Sequence, residues 1–156
     1  MIDQLPQWAY IFLFSMMPGV ESKVVVPFAI YEFQWQWYQA FFIGLLGNIV
    51  LVPFGPLFLH KLESFLSKYE RIKKIMEKIF SRIRKRADKK IQRYEYLGLL
   101  LIVALPLPFT GAGLGVIIAY LFNLDFSRSI ITIFIGVDIA TSITTFLYLV
   151  LDYVLF

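Results

Sequence analysis

Ala104-Leu-Pro-Leu-Pro-Phe-Thr-Gly-Ala-Gly-Leu-Gly115 lies in the middle of an apolar run from Leu97 to Phe122. A run of that length can span a bilayer, which takes about 20 apolar residues. Its centre, however, holds two prolines and three glycines where a spanning helix must be continuous. The helix is therefore expected to break there. Non-helical backbone at membrane depth is tolerated only where protein buries it or it lines a wet cavity, because each unpaired N–H or C=O in lipid costs several kcal/mol. A break of this kind marks a candidate site.

The rest of the composition agrees with a bilayer setting. The 156 residues are 59% hydrophobic with a mean hydropathy of +0.71, above the roughly 45–50% of soluble domains. The chain is expected to be an all-α integral membrane protein forming a single membrane domain over 1–156. Cysteine is absent, which excludes disulfides, a thiol nucleophile and thiolate metal sites. The N-terminus, Met1 to Pro6, has no basic region and no small-residue cleavage site, so the first apolar segment is expected to be retained. Charge is concentrated in one block. Lys61–Glu95 holds thirteen Lys/Arg against five acids, thirteen less five giving +8. In a membrane protein such a block reads as a cytoplasmic orientation signal. Nucleic-acid binding is not expected, because no stacking module or recognition motif accompanies the basic residues.

The first apolar segment, Trp8–Tyr31, is interrupted by Pro18-Gly19, Glu21, Lys23 and Pro27. As one spanning helix it would hold two charges near the midplane, each costing about 2.5–3.5 kcal/mol on insertion scales. Folded back at Pro18–Ser22 it becomes a re-entrant hairpin of two short arms. Trp35, Trp37 and Tyr38 then form an interfacial aromatic cluster, followed by an apolar helix to Leu59 that Pro53, Gly55 and Pro56 are expected to kink. Gly44, Gly47 and Asn48 lie on adjacent turns and admit a close helix neighbour. Apolar residues from Leu62 to Tyr94 recur at spacings of three and four among Lys/Arg. That pattern predicts a basic amphipathic helical segment on the cytoplasmic surface, with a coiled-coil contact as the other reading.

The second apolar block repeats this plan. At an offset of 89, Trp37 falls on Phe126, Gly47 on Gly136, and the breaker at Pro18–Ser22 on Leu107–Gly111. Two inverted repeats are expected, 1–59 and 97–156, each a re-entrant helical hairpin plus one transmembrane helix, joined by the basic segment 60–96. Sites in inverted-repeat transporters form at broken helices near the midplane. The last helix, from about Ser127 to Leu151, places Asp138 half-way along, with Thr141, Ser142 and Thr145 continuing a polar stripe. Asn48 lies within one position of the repeat-equivalent of Asp138. Gly136, Ala140 and Thr144 form a small-residue stripe, so the chain is open to homodimer formation through such faces.

Glu21 and Lys23 are the leading candidates for function, with Asp138 third, because an intramembrane charge is a functional hypothesis by default. A carboxylate held between desolvation and a nearby cation is poised to exchange a proton, as a proton-coupled transporter requires. Pro106, Pro108, Thr110 and Gly111 offer a second kind of site. The helix starting after Thr110 would aim N–H groups and the positive end of its dipole at an anionic head group, with Lys23 or Arg128 adding charge. Gly111–Gly115 lacks the βαβ context of a dinucleotide fingerprint. His60 has no clustered ligand partners, so neither a metal site nor a cofactor is expected, and no set of nucleophile, base and orienter suggests an enzyme.

Tyr96–Gly113 resembles the small multi-drug export family, which is related to the DedA-like (VTT) membrane proteins. The family pattern of an aliphatic arm and Pro-Leu-Pro-Gly-Thr-Gly-Ala-Trp is matched by Pro106, Leu107, Pro108, Thr110, Gly111 and Ala112. Phe109 replaces the glycine and Gly113 the tryptophan. In the first half, Glu21 and Pro27 match the family's Glu-Leu-Arg-Gly-Ala-Ile-Pro, and Lys23 stands where arginine is usual. The resemblance implies a multi-pass inner (plasma) membrane protein with paired re-entrant hairpins and a cytoplasmic basic segment. It implies export or translocation of small amphiphilic molecules, or, from the DedA-like group, a flippase or scramblase for lipids such as polyprenyl phosphates. A non-transporting membrane assembly protein is the third reading. The expected partners are membrane lipids and an amphiphilic substrate or lipid phosphate.

Overall fold

The computed structural model describes residues 5–17, 20–66, 92–107 and 111–155, together with Lys74 and Lys78. The centre of the basic segment, Pro18 and Gly19 of the expected first breaker, and Pro108 and Thr110 of the second lie outside the described residues. All regular structure among the described residues is helical. Seven helices follow in order: α1 (Gln7–Ser15), α2 (Glu21–Phe33), α3 (Trp37–Leu51), α4 (Phe54–Leu66), α5 (Gln92–Ala104), α6 (Ala112–Leu121) and α7 (Phe126–Leu155).

The breaks fall at proline, which removes a helical hydrogen bond, and at glycine, whose backbone freedom disfavours the helix. α5 stops at Ala104, two residues before Pro106, and α6 starts only at Ala112. The apolar stretch expected to run with a kink to Leu59 is instead divided. α3 ends at Leu51, and α4 resumes at Phe54, past Pro53. Pro27 is accommodated inside α2, at the cost of the bond its missing N–H would have made to the Lys23 carbonyl.

Each half packs two short helices against a longer one: α1 and α2 on α3, and α5 and α6 on α7. The halves share further landmarks. Gln34 and Asn123, 89 residues apart (123 − 34), both leave a helix with φ of 54°, a left-handed residue that closes a helix C-terminus. α3 and α7 begin at Trp37 and Phe126, again separated by 126 − 37 = 89. α2 also packs on α7, which joins the halves.

Two small apolar cores hold the assembly. Ile11, Val25, Val26, Ala29 and Ala40 bury one in the first half. Val52, Leu99, Val103, Val116, Ile133 and Val137 centre the other. The glycine stripes are consumed in this packing. A Cβ on Gly47 would stand 2.5 Å from the Phe12 carbonyl oxygen and 2.7 Å from Ser15 Cβ, and one on Gly44 would stand 2.8 Å from Val26. A Cβ on Gly136 would meet Val103 at 2.8 Å. The faces that the sequence offers to a second copy are thus occupied by the chain's own α1, α2 and α5. Gly47→Leu is expected to destabilise by about 3 kcal/mol or slightly more, at the top of the overpacking range, because the obstructing Phe12 oxygen is backbone and cannot rotate away. Reversible SDS titration in mixed micelles would measure the loss.

α7 is the one helix among the described residues long and apolar enough to cross a membrane. At 30 residues it is about 45 Å long at 1.5 Å per residue. α1 and α6, with 9 and 10 residues, reach only about 14–15 Å, the length expected of hairpin arms.

Candidate functional site

The first turn of α2, Glu21-Ser22-Lys23, is the most polar buried stretch of the protein's described part. Glu21, Ser22 and Lys23 are 3%, 0% and 5% exposed. Glu21 takes a positive φ of 45°, a left-handed conformation that costs a side-chain-bearing residue of order 1–3 kcal/mol and that clusters at functional positions.

From this turn two opposite charges reach across to the break in the other hairpin. Glu21 Oε1 accepts from the Gly113 N–H at 3.4 Å, inside the first turn of α6. The Lys23 ammonium donates to the Leu107 carbonyl at 2.8 Å, in the tip that follows α5. The two side chains are 3.6 Å apart, Nζ to Oε2. A carboxylate thus meets the free N–H groups and positive dipole end of α6, while an ammonium meets a carbonyl of the non-helical link that follows α5. Gly111 is part of the same fit. A Cβ there would fall on the Glu21 carboxylate, so only a residue without one lets that carboxylate reach the helix start.

A directed chain of neutral hydrogen bonds runs beside the ion pair. The Asn48 amide oxygen accepts from Ser22 Oγ at 2.6 Å and from Ser22 N–H at 3.2 Å, while its nitrogen donates to the Ser15 carbonyl at 2.5 Å. With the Ser22 proton given to Asn48, Thr141 Oγ1 donates to Ser22 Oγ at 2.7 Å. Ser15 Oγ turns back to the Ile11 carbonyl at 2.7 Å. Four helices, α1, α2, α3 and α7, therefore meet at Ser22, and Asn48 is 1% exposed.

Of the residues singled out from the sequence, Glu21, Lys23, Gly111 and Asn48 come together here, and Pro106 lies half-buried in the tip beside Leu107. Pro108 and Thr110 fall outside the described residues. Arg128 and Asp138 do not join the site. Arg128 is exposed in the first turn of α7, where Asp125 Oδ1 accepts its backbone N–H at 3.0 Å. It stands thirteen residues (141 − 128) before Thr141, about 20 Å along the helix axis. Asp138 and Ser142 are exposed, whereas Thr141 and Thr145 are buried. The polar stripe of α7 thus straddles the edge of the bundle instead of lining its inside. Ser15 and Ser22 were the members not singled out beforehand. Their only sequence signal is a small hydroxyl within an apolar arm.

Beside the junction a groove of 490 Å³ runs between α4 and α6, lined by Val52, Phe54, Phe58, Gly113, Val116 and Ile117. Gly113, whose N–H bonds to Glu21, is part of its lining. Gly55 permits the α4–α6 approach, since a Cβ there would be 2.7 Å from Val116. Among the described residues no group of three or more His, Cys, Asp or Glu could hold a metal ion.

Fold and site together define an all-helical protein in which two helical hairpins, each on a longer helix, are joined where a buried ion pair on α2 hydrogen-bonds to the break between α5 and α6. The chain belongs to the family described as "putative small multi-drug export protein", whose model matches residues 21–143. That match contains both halves of the junction, from Glu21 to Thr141. Family and α7 together point to a membrane protein. No curated protein and no solved structure shows a significant match.

Proposed function

We propose that this chain is a membrane-embedded carrier of small amphiphilic molecules and that the Glu21–Lys23 junction is its binding site. In this reading α1–α2 and α5–α6 are re-entrant hairpins, α3 and α7 are crossing helices, and the halves are inverted repeats with the basic segment on the cytoplasmic side of the cell membrane. The short arms, the shared landmarks 89 residues apart, and an outer surface of large apolar side chains such as Phe42, Phe58, Phe146 and Leu101, each more than half exposed, support that setting.

The observation that carries the function is that two nearly buried opposite charges from one hairpin bond to the break in the other, Glu21 to the start of α6 and Lys23 to the Leu107 carbonyl before it. Parting the hairpins leaves the ion pair within α2 but takes from each charge its bond to the other hairpin, which is costly in a low-dielectric interior. The gap therefore opens more readily when something else replaces those bonds. A proton on Glu21 removes its charge and loosens its hold on the start of α6. A carboxylate or phosphate head group then takes the same N–H groups, beside Lys23, with its apolar body in the adjoining α4–α6 groove. Proton and head group become coupled occupants, and no bond is made or broken.

A second reading, translocation of a lipid phosphate as in DedA-like proteins, is favoured by the same anion-accepting helix start. The two separate in proteoliposomes. Under a pH gradient, Glu21→Gln is expected to abolish uptake of an anionic amphiphile while circular dichroism and gel filtration show a folded protein. Uptake unchanged by the substitution would remove Glu21 from the mechanism. Transfer of a labelled polyprenyl phosphate between leaflets with no gradient would decide for the lipid reading.

A further inference from the structure

Glu21 does not reach α6 by its own conformational preference. Its φ of 45° is left-handed, a region that side-chain-bearing residues hold only where their surroundings impose it. The constraint lies in the peptide group that follows, which ends in the Ser22 N–H. Ser22 stands in the first turn of α2, and Ser15 is the last residue of α1. The Ser22 N–H and the Ser15 carbonyl therefore both belong to the groups that a helix end leaves without an intrahelical partner. One side chain serves both. The Asn48 amide oxygen accepts the Ser22 N–H at 3.2 Å, and its nitrogen donates to the Ser15 carbonyl at 2.5 Å. A planar amide on α3 thus bridges the end of α1 to the start of α2 and fixes the plane of the Glu21–Ser22 peptide.

The other half shows that packing alone does not call for asparagine at this place. At the offset of 89, Ser15, Ser22 and Asn48 correspond to Ala104, Gly111 and Val137. Ala104 ends α5 as Ser15 ends α1, and Val137 is buried in the second core. An aliphatic side chain therefore fills the equivalent position on α7. Asn48, 1% exposed, carries a desolvation cost that valine does not, and its hydrogen bonds must offset it. Those bonds go to the backbone on either side of the break, one of them next to Glu21. The bridge belongs to the half that carries Glu21 and Lys23.

We infer that Asn48 is the positioning residue of the junction: by bridging Ser15 and Ser22 it holds Glu21 left-handed, with its carboxylate on the start of α6. It acts through Glu21 and not on the head group itself. The geometry stands alone, while its consequence for transport rests on the carrier reading above. The test uses full-length protein in liposomes with two variants, Asn48→Val, which imports the residue of the second half, and Asn48→Ala, which adds no bulk. Magic-angle-spinning NMR reads the approach of the glutamate carboxyl carbon to the glycine amide nitrogen, the Glu21–Gly113 bond of 3.4 Å, assigned by its loss in Glu21→Gln. Both Asn48 variants are expected to lose it. For uptake of dodecyl phosphate under a pH gradient, their apparent KM is expected to fall by about threefold or more, because the N–H groups that Glu21 occupied are open to the head group. Gradient-driven accumulation is expected to fall about tenfold, because proton and head group no longer share one place. Damage to the fold alone would raise KM instead. A retained Glu21–Gly113 contact, a KM unchanged or raised, or failure of both variants to fold overturns the positioning role. Absence of saturable dodecyl phosphate uptake by the wild type overturns the carrier reading, and the NMR contact then decides on Asn48 by itself.

Discussion

Lys23→Met is expected to destabilise the protein by about 3–5 kcal/mol, the cost of leaving one member of a buried ion pair without its partner. Methionine keeps the length and apolar bulk of the lysine stem, so the change is chiefly electrostatic. It removes the ammonium that lies 3.6 Å from Glu21 and donates to the Leu107 carbonyl. Glu21 would then be a charge 3% exposed, supported only by a helix N-terminus, which is worth no more than about 2 kcal/mol even in partly buried geometries. Glu21→Gln in the same background is expected to recover most of the loss, because buried pairs replaced as a unit are often neutral or stabilising. SDS titration of the two single variants and the double variant forms a thermodynamic cycle. Additive losses would mean that the two side chains do not act as a pair.

Gly111→Ala is expected to abolish transport while leaving most of the fold intact. The added methyl occupies the space of the Glu21 carboxylate, and Glu21 is a flexible side chain that swings aside more readily than backbone moves. The helix start then loses its intramolecular anion without any change in charge count. The variant should behave as Glu21→Gln does in uptake, with at least a tenfold fall in rate, and an accompanying stability loss within the roughly 1–3 kcal/mol of a local overpacking. Wild-type uptake by Gly111→Ala would show that the close fit of Glu21 on α6 is incidental to function. Together the two variants separate the charge of the junction from its shape.

Several features of this protein were legible without coordinates because their causes are local. Pro106 and the glycines after it end one helix and permit another to start, which needs only the missing N–H and the missing Cβ. Pro53 breaks the stretch between α3 and α4 for the same reason, more completely than a kink. The 89-residue correspondence was readable from Trp37 and Phe126, which turned out to be the first residues of α3 and α7. Glycine spacing on α3 likewise announced a close neighbour.

Which neighbour it is, and which charge meets which helix end, depended on the tertiary structure. Glu21 meets α6 across 92 residues and Lys23 meets the Leu107 carbonyl across 84. Periodicity constrains residues a few positions apart and is silent on such separations. The same limit explains Asp138. At 100° per residue, Asp138 and Thr141 differ by only about 60° around α7, so one polar stripe served for both in the sequence. Packing of α2 against the Thr141 side draws the edge of the bundle between them, placing Thr141 in the junction and Asp138 outside. Sequence alone determined where helices break and which residues are too polar for an apolar setting. Tertiary packing alone decided which of those polar groups satisfy one another, because pairing is set by the docking of whole helices and not by the chemistry of any one of them.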